Sequence, residues 1–248
     1  MSLCLHTGAY EVNLQQLETH PVPNPTATWM PVKHLDLINI VKDSLFRTGY
    51  EITDESHALA YTDIRDNYFG LMDLKSPFVD HTITVGLRNS NSMQFPAGLV
   101  IGNRVFVCDN LAFSGEVHFA RKHTTHILRD LPQLVDSSIG KISKFTESQE
   151  LRIENYKETE LNVKEVDHAL MSILRARILP ANKIVDVLKE FDHPSHEEFK
   201  KDGSTLWRLY NACTEHMKNS IWLLPRRTMA LHGILDGFLK APLEGQLV

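Results

Sequence analysis

Between residues 82 and 88 the chain reads Thr-Ile-Thr-Val-Gly-Leu-Arg, with Ile83, Val85 and Leu87 alternating with small or polar neighbours. A period of two places successive side chains on opposite faces, so this stretch reads as a half-buried strand. Residues 68–74, ended by Ser76-Pro77, read as a strand before it. The apolar runs 97–101 and 104–108 read as two strands after it, joined by Gly102-Asn103. Both of those residues tolerate positive φ, which favours a tight hairpin. Short connections of this kind allow only an antiparallel meander, because a parallel pair needs a crossover of a dozen residues or more.

Helical spacing dominates elsewhere. Leu35, Ile38, Val41, Leu45 and Phe46 predict a helix over 32–47, stopped at Gly49. After Gly115 the pattern turns helical, with one amphipathic stripe over 127–145 and an irregularity expected at Pro132. The polar stretch 146–160 reads as solvated helix surface. Asn162 and Glu165 form a capping-box pair opening a helix to about residue 179. Further helices are expected over 181–191, 205–218 and 226–239, punctuated by Pro180, Pro194 and Pro225.

Strand-rich and helix-rich segments are thus segregated, which predicts an α+β fold. The expected form is an antiparallel β-meander packed against helices, with a helical C-terminal half and one sheet face left free for a ligand. Residues 1–30, with Pro21, Pro23 and Pro25, read as an extended Pro-rich arm. Residues 31–120 form the helix-plus-sheet part and 121–248 the helical part packed on it, in one continuous domain.

Composition narrows the function. The 248 residues carry a formal net charge of -5, which argues against a general nucleic-acid coat but leaves room for a local basic groove. Three widely spaced cysteines without a CxxC pair read as reduced thiols. With no secretory leader and no membrane-spanning run, a cytoplasmic protein without a membrane partner is expected.

Two polar clusters stand at strand ends, Arg88-Asn89-Ser90 and Asp109-Asn110 with Ser114. Paired in a meander, they are expected to converge. Arg88 offers a forked donor suited to phosphate, and Asn89 and Asn110 offer donor and acceptor together. The alternative is that these residues close turns by bonding the backbone. Arg121 and Lys122, with His123 and His126, read as a basic helix entry that would hold a phosphate backbone. Among 13 histidines, His118, His123 and His126 cluster, as do His193 and His196, but no HExxH or CxxC frame is present. No metal or other cofactor is therefore expected. Cys108 beside Asp109 would serve as a nucleophile only with a base nearby, and a strand cysteine is more often a buried small hydrophobe.

The strings LRNSNSMQFPAG, NRVFVCDNLAFSGE, RKHTTHILRDL and TLWRLYNACTE resemble the phage/plasmid-like protein family, a domain of unknown function numbered 932. The resemblance spans residues 49–238. Where that family often shows Asn-Ser-His-Asp, this chain has Asn89-Ser90-Asn91-Ser92, which removes an imidazole and a carboxylate from the turn. The resemblance implies a mobile-element origin. The expected function is a non-enzymatic nucleic-acid-binding protein, contacting single-stranded DNA through Arg88, Asn89, Ser90, Asp109, Asn110, Arg121 and Lys122, as a homo-oligomer. The alternatives are a hydrolase-type enzyme centred on Asp109 and Arg88, or a module that inhibits a host protein.

Overall fold

The computed structural model describes residues 9–62, 65–75, 81–105, 110–217 and 224–239. An edge strand β1 (Tyr10–Glu11) and a short helix α1 (Leu14–Thr19) precede helix α2 (His34–Arg47). Five strands follow: β2 (Ile52–Thr62), β3 (Arg65–Leu74), β4 (His81–Ser90), β5 (Ala97–Val105) and β6 (Asn110–Arg121). The rest is helical: α3 (Ile127–Ile139), α4 (Ile142–Glu158), α5 (Val163–Arg175), α6 (Ala181–Asp192), α7 (Glu197–Lys201), α8 (Leu206–Glu215) and α9 (Leu224–Leu235). All described strands join one antiparallel sheet in the order β1-β2-β3-β4-β5-β6, a meander. The α+β class and its antiparallel meander are therefore as the alternation predicts.

Among the described residues neither sheet face is left free, contrary to the expectation of an open one. One face, through Leu59, Tyr68, Met72, Ile83, Val85, Leu87, Leu99 and Ile101, packs on α1, α2 and α3. The other, through Ala58, Phe69 and Leu71, packs on the helices from the second half of α4 onward. Helix α4 carries the chain from one layer to the other, since Phe145 belongs to the first core and Ile153 and Tyr156 to the second. The polar stretch 146–160 is correspondingly not all surface: Gln149, Arg152, Ile153 and Tyr156 are buried.

Gly102-Asn103 is not a hairpin. Both lie inside β5, opposite Thr84 and Ile83 of β4. β5 is entered through a reversal at residues 91–96, where exposed Met93 takes φ of 60°. Tolerance of positive φ permits a turn without requiring one: continuous pairing with β4 carries β5 through the pair, while the register with β6 shifts between Val100 and Gly102. Nor does the chain turn helical after Gly115, because β6 runs on to Arg121. The stripe over 127–145 buries Ile127, Leu131, Val135, Ile139, Ile142 and Phe145 in one core, but as two helices separated at Gly140. The capping box of Asn162 and Glu165 is formed, with each side chain accepting from the other's backbone amide.

Within residues 1–30, α1 has its own capping box from Asn13 and Gln16, and Leu17 is wholly buried. Among the described residues no helix is long and apolar enough to cross a membrane.

Tyr68 shows how tightly the first layer is built. Its ring stacks with those of His34 and His57, and its hydroxyl lies 2.8 Å from His57 Nδ1. The ring extends over Gly70, where a Cβ would stand 2.0 Å from the Tyr68 hydroxyl oxygen. Gly70→Ala is therefore expected to cost about 1–3 kcal/mol by overpacking, because the wholly buried Tyr68 ring is held by both imidazoles and by its hydroxyl contact. Chemical denaturation of the variant against the parent protein measures this directly.

Candidate functional site

Antiparallel order brings the end of β2, the start of β3, the end of β4, the start of β5 and the end of β6 to one end of the sheet. The register shows it: Tyr61 faces Asp66, Tyr68 faces Asn89, Asn67 faces Ser90, and Ala97 faces Arg121. At this end a buried polar cluster forms under α2 and the segment that precedes it.

Asn89 is its hub and is wholly buried. Its Nδ2 donates to the Val32 carbonyl at 2.7 Å and stands 2.9 Å from His34 Nδ1. The backbone carbonyl only accepts, which fixes Nδ2 as the amide nitrogen and makes His34 Nδ1 an acceptor. His34 must then carry its proton on Nε2, which donates to Asp66 Oδ1 at 3.0 Å. On the other side of the amide, His123 Nε2 donates to Asn89 Oδ1 at 2.8 Å. The result is a directed chain from His123 through Asn89 and His34 to the Asp66 carboxylate. His20, from the end of α1, donates to the same Asp66 oxygen at 2.8 Å. The backbone of Asp66 is held as well, its N–H donating to Ser92 Oγ and its carbonyl accepting from the Asn91 N–H.

The protonation states follow from this setting. Burial raises the Asp66 carboxyl, but the hydrogen bonds from His34 and His20, with their charge whenever either ring is protonated, outweigh that and hold it below the usual carboxylate range. Burial pushes the His34 imidazole down more than Asp66 raises it, so the ring is neutral. Burial, with a contribution from His34, pushes His123 down to about 4.

His20 Nε2, His34 Nε2 and the Asp66 carboxylate lie within 4.8 Å of one another. Among the described residues this is the group of three with the chemistry to hold a metal ion. The histidine clusters singled out from sequence do not form such a group there. His123 is tied to Asn89, and His126 sits exposed at the start of α3.

The two expected polar clusters do not converge. Asn110 faces Val105, and His81 faces Val105 from the other side, so Asn110 stands at the opposite sheet end from Asn89 and Ser90. Asp109 and Cys108 lie outside the described residues, as do the side chains of Asn110, Ser114 and His118. Arg88, next to Asn89, points to the other face by strand alternation, where its guanidinium stacks over Phe95 at 5.7 Å. Ser90 accepts from the Gln94 N–H, which is the turn-closing role. Arg121 ends β6 rather than opening a helix and pairs with Asp130 at 2.6 Å, while Lys122 is exposed in the connector beyond it. Of the residues named from sequence, Asn89 is the one at the centre of the cluster. His20, His34 and Asp66 were missed because each stands alone in its local sequence and only the fold joins them.

Comparison of the chain with models of known families, with curated proteins and with solved structures finds no match.

A protonation penalty is built into the cluster. The unfolded chain binds a proton at His123 near 6.5, whereas the folded chain does so only at about 4. Its contribution to stability is therefore complete above pH 6.5 and is lost as pH falls toward 4. His123→Gln keeps a donor for Asn89 Oδ1 without a titrating ring. Urea midpoints measured from pH 7.5 to 4 are expected to fall less steeply in this variant than in the parent. Some slope persists, because burial lowers His34, His57 and His232 as well.

Proposed function

We propose that this chain is a hydrolytic enzyme whose centre is the Asp66 carboxylate with His20 and His34. The observation that carries the reading is the meeting of two imidazoles on one oxygen of a carboxylate held in its ionised form. Such a set supplies a base for water and stabilises the positive charge that proton abstraction creates. The buried chain behind His34 fixes its ring in one orientation, which is what a preorganised centre requires. His20 and Asp66 keep 9% and 11% side-chain exposure, so solvent reaches this side of the cluster.

The reading moves the hydrolase alternative from Asp109 and Arg88 to the end of the sheet that holds Asn89. It also changes the role of nucleic acid from a strand bound across an open sheet to a substrate. Among the described residues helices pack on both sheet faces, which favours the second mode. The resemblance to the phage/plasmid-like family, with its implied mobile-element origin, makes a phosphodiester the first substrate to try. Exposed Lys122 and Arg129 flank the connector that carries His123 and are placed to meet an anionic chain.

Turnover of bis-p-nitrophenyl phosphate and of a labelled single-stranded oligonucleotide tests this. Asp66→Asn is expected to lower kcat/KM by about 100-fold or more, with His20→Gln following it. Parent protein inert on both substrates, or variants that match it, would sink the reading.

A further inference from the structure

We infer that His20, His34 and Asp66 bind one divalent transition-metal ion, zinc or an ion of similar ligand preference. The inference rests on the hydrolytic reading of the same cluster and names how its water would be activated. Two imidazole nitrogens and one carboxylate are the donor set of catalytic zinc sites and of the two-histidine, one-carboxylate iron sites. In both, three protein ligands leave at least one position open for water. The three atoms are already gathered by elements far apart in sequence: the end of α1, the first residue of α2 and the second residue of β3. A tetrahedral ion about 2.1 Å from each ligand needs ligand atoms about 3.4 Å apart. Asp66 Oδ1 is 2.8 Å from His20 Nε2 and 3.0 Å from His34 Nε2, so admission of the ion widens these contacts by roughly half an ångström. The second Asp66 oxygen remains to accept from the bound water.

The protons balance in a defined way. Each imidazole now presents an N–H to Asp66, and a metal takes a lone pair, so both Nε2 protons must leave those nitrogens. The His20 proton moves to its own Nδ1, and the His34 proton moves to Nδ1, where Asn89 presents its NH2 group. The Asn89 amide must therefore turn over and offer its oxygen to Nδ1–H, while its nitrogen donates to His123 Nε2, whose own proton passes to His123 Nδ1. This exchanges the bond to the Val32 carbonyl for the outer-sphere bond that orients a metal-bound imidazole. His123 suits this change of role because it is neutral at any pH well above about 4.

The test uses the full chain, dialysed against EDTA and then titrated with Co2+ and Zn2+. One equivalent of Co2+ is expected to give the visible d–d absorption of a four- or five-coordinate site, displaced by Zn2+. Zn2+ at about 100 times its Kd is expected to raise Tm by about 5 °C or more. His20→Ala removes a ligand at the periphery and leaves the chain from His123 to Asp66 intact, so a folded variant without the band supports the site. No band from the parent protein, or a band unchanged in both His20→Ala and Asp66→Asn, overturns it. Phosphodiester turnover that survives EDTA in a protein that takes up no metal overturns the ion and leaves the hydrolytic reading standing. Metal uptake without turnover of any substrate does the reverse.

Discussion

One buried amide holds this end of the molecule together. The Asn89 side chain has three partners in two separate segments: the Val32 carbonyl before α2 and the His34 ring at its start, and the His123 ring in the connector between β6 and α3. Met30, two residues before Val32, donates its N–H to the His123 carbonyl, and the Trp29 ring lies beside the His123 ring. The segment entering α2 and the segment entering α3 are therefore tied to each other and to β4. Those two helices cover the same sheet face, so the amide fixes how the layer is hung on the sheet. Deleting the amide would strand a carbonyl and two ring nitrogens in the interior, at about 1–3 kcal/mol for each group left unsatisfied. A polar tie of this kind contributes little net stability when complete, because desolvation offsets most of its strength. It does penalise any other arrangement of the groups it joins.

The second linked group starts at the surface. Lys42 of α2 pairs with Glu55 of β2, Glu55 lies 3.5 Å from His57 Nε2, and His57 Nδ1 meets the Tyr68 hydroxyl. Tyr68 stacks in turn on His34. The His34 ring thus has fixed neighbours at both nitrogens and on one face, and its environment is set from the side of α2 as well as from the side of β4. This is what a sheet covered on both faces makes possible. With solvent excluded, short polar contacts settle ring orientation and protonation in a way that an open sheet face, wetted by water, would not allow.

The fold was legible where local pattern and tertiary role coincide. Strand β4 alternates cleanly and is buried on both faces, and the stripe from Ile127 to Phe145 reaches a single core despite the break at Gly140. Strand β6 carries the same alternation in Leu111, Phe113, Val117 and Phe119, set directly before a helical pattern. Strand β2 carries none, because its first half holds Thr53-Asp54-Glu55-Ser56-His57, a polar run in which Glu55 meets Lys42 of α2 and His57 meets Tyr68 of β3. The site shows the same divide. Asn89 was flagged because several polar residues stand together at a strand end. His20, His34 and Asp66 are separated by 46 and 32 positions along the chain and carry no shared local signature. Arg88 and Asn89 are neighbours in sequence yet belong to opposite faces, so a cluster read along the chain is split by the pleat.

The meander also leaves an unusual outer margin. Among the described residues β1 covers β2 opposite Leu59 and Ala58, and the Val12 N–H donates to the His57 carbonyl, so no described strand lies beside the rest of this eleven-residue strand's outer rim. A bare rim invites a second chain to add itself by backbone pairing. Here the register slips between Ile52 and Asp54, and Asp54 and Glu55 follow at once. A kink and two adjacent carboxylates make a poor template for an incoming strand. The polar character that hides β2 in the sequence thus also makes its first half a poor template for backbone pairing, while the short β1 clip covers the apolar stretch around Ala58 and Leu59.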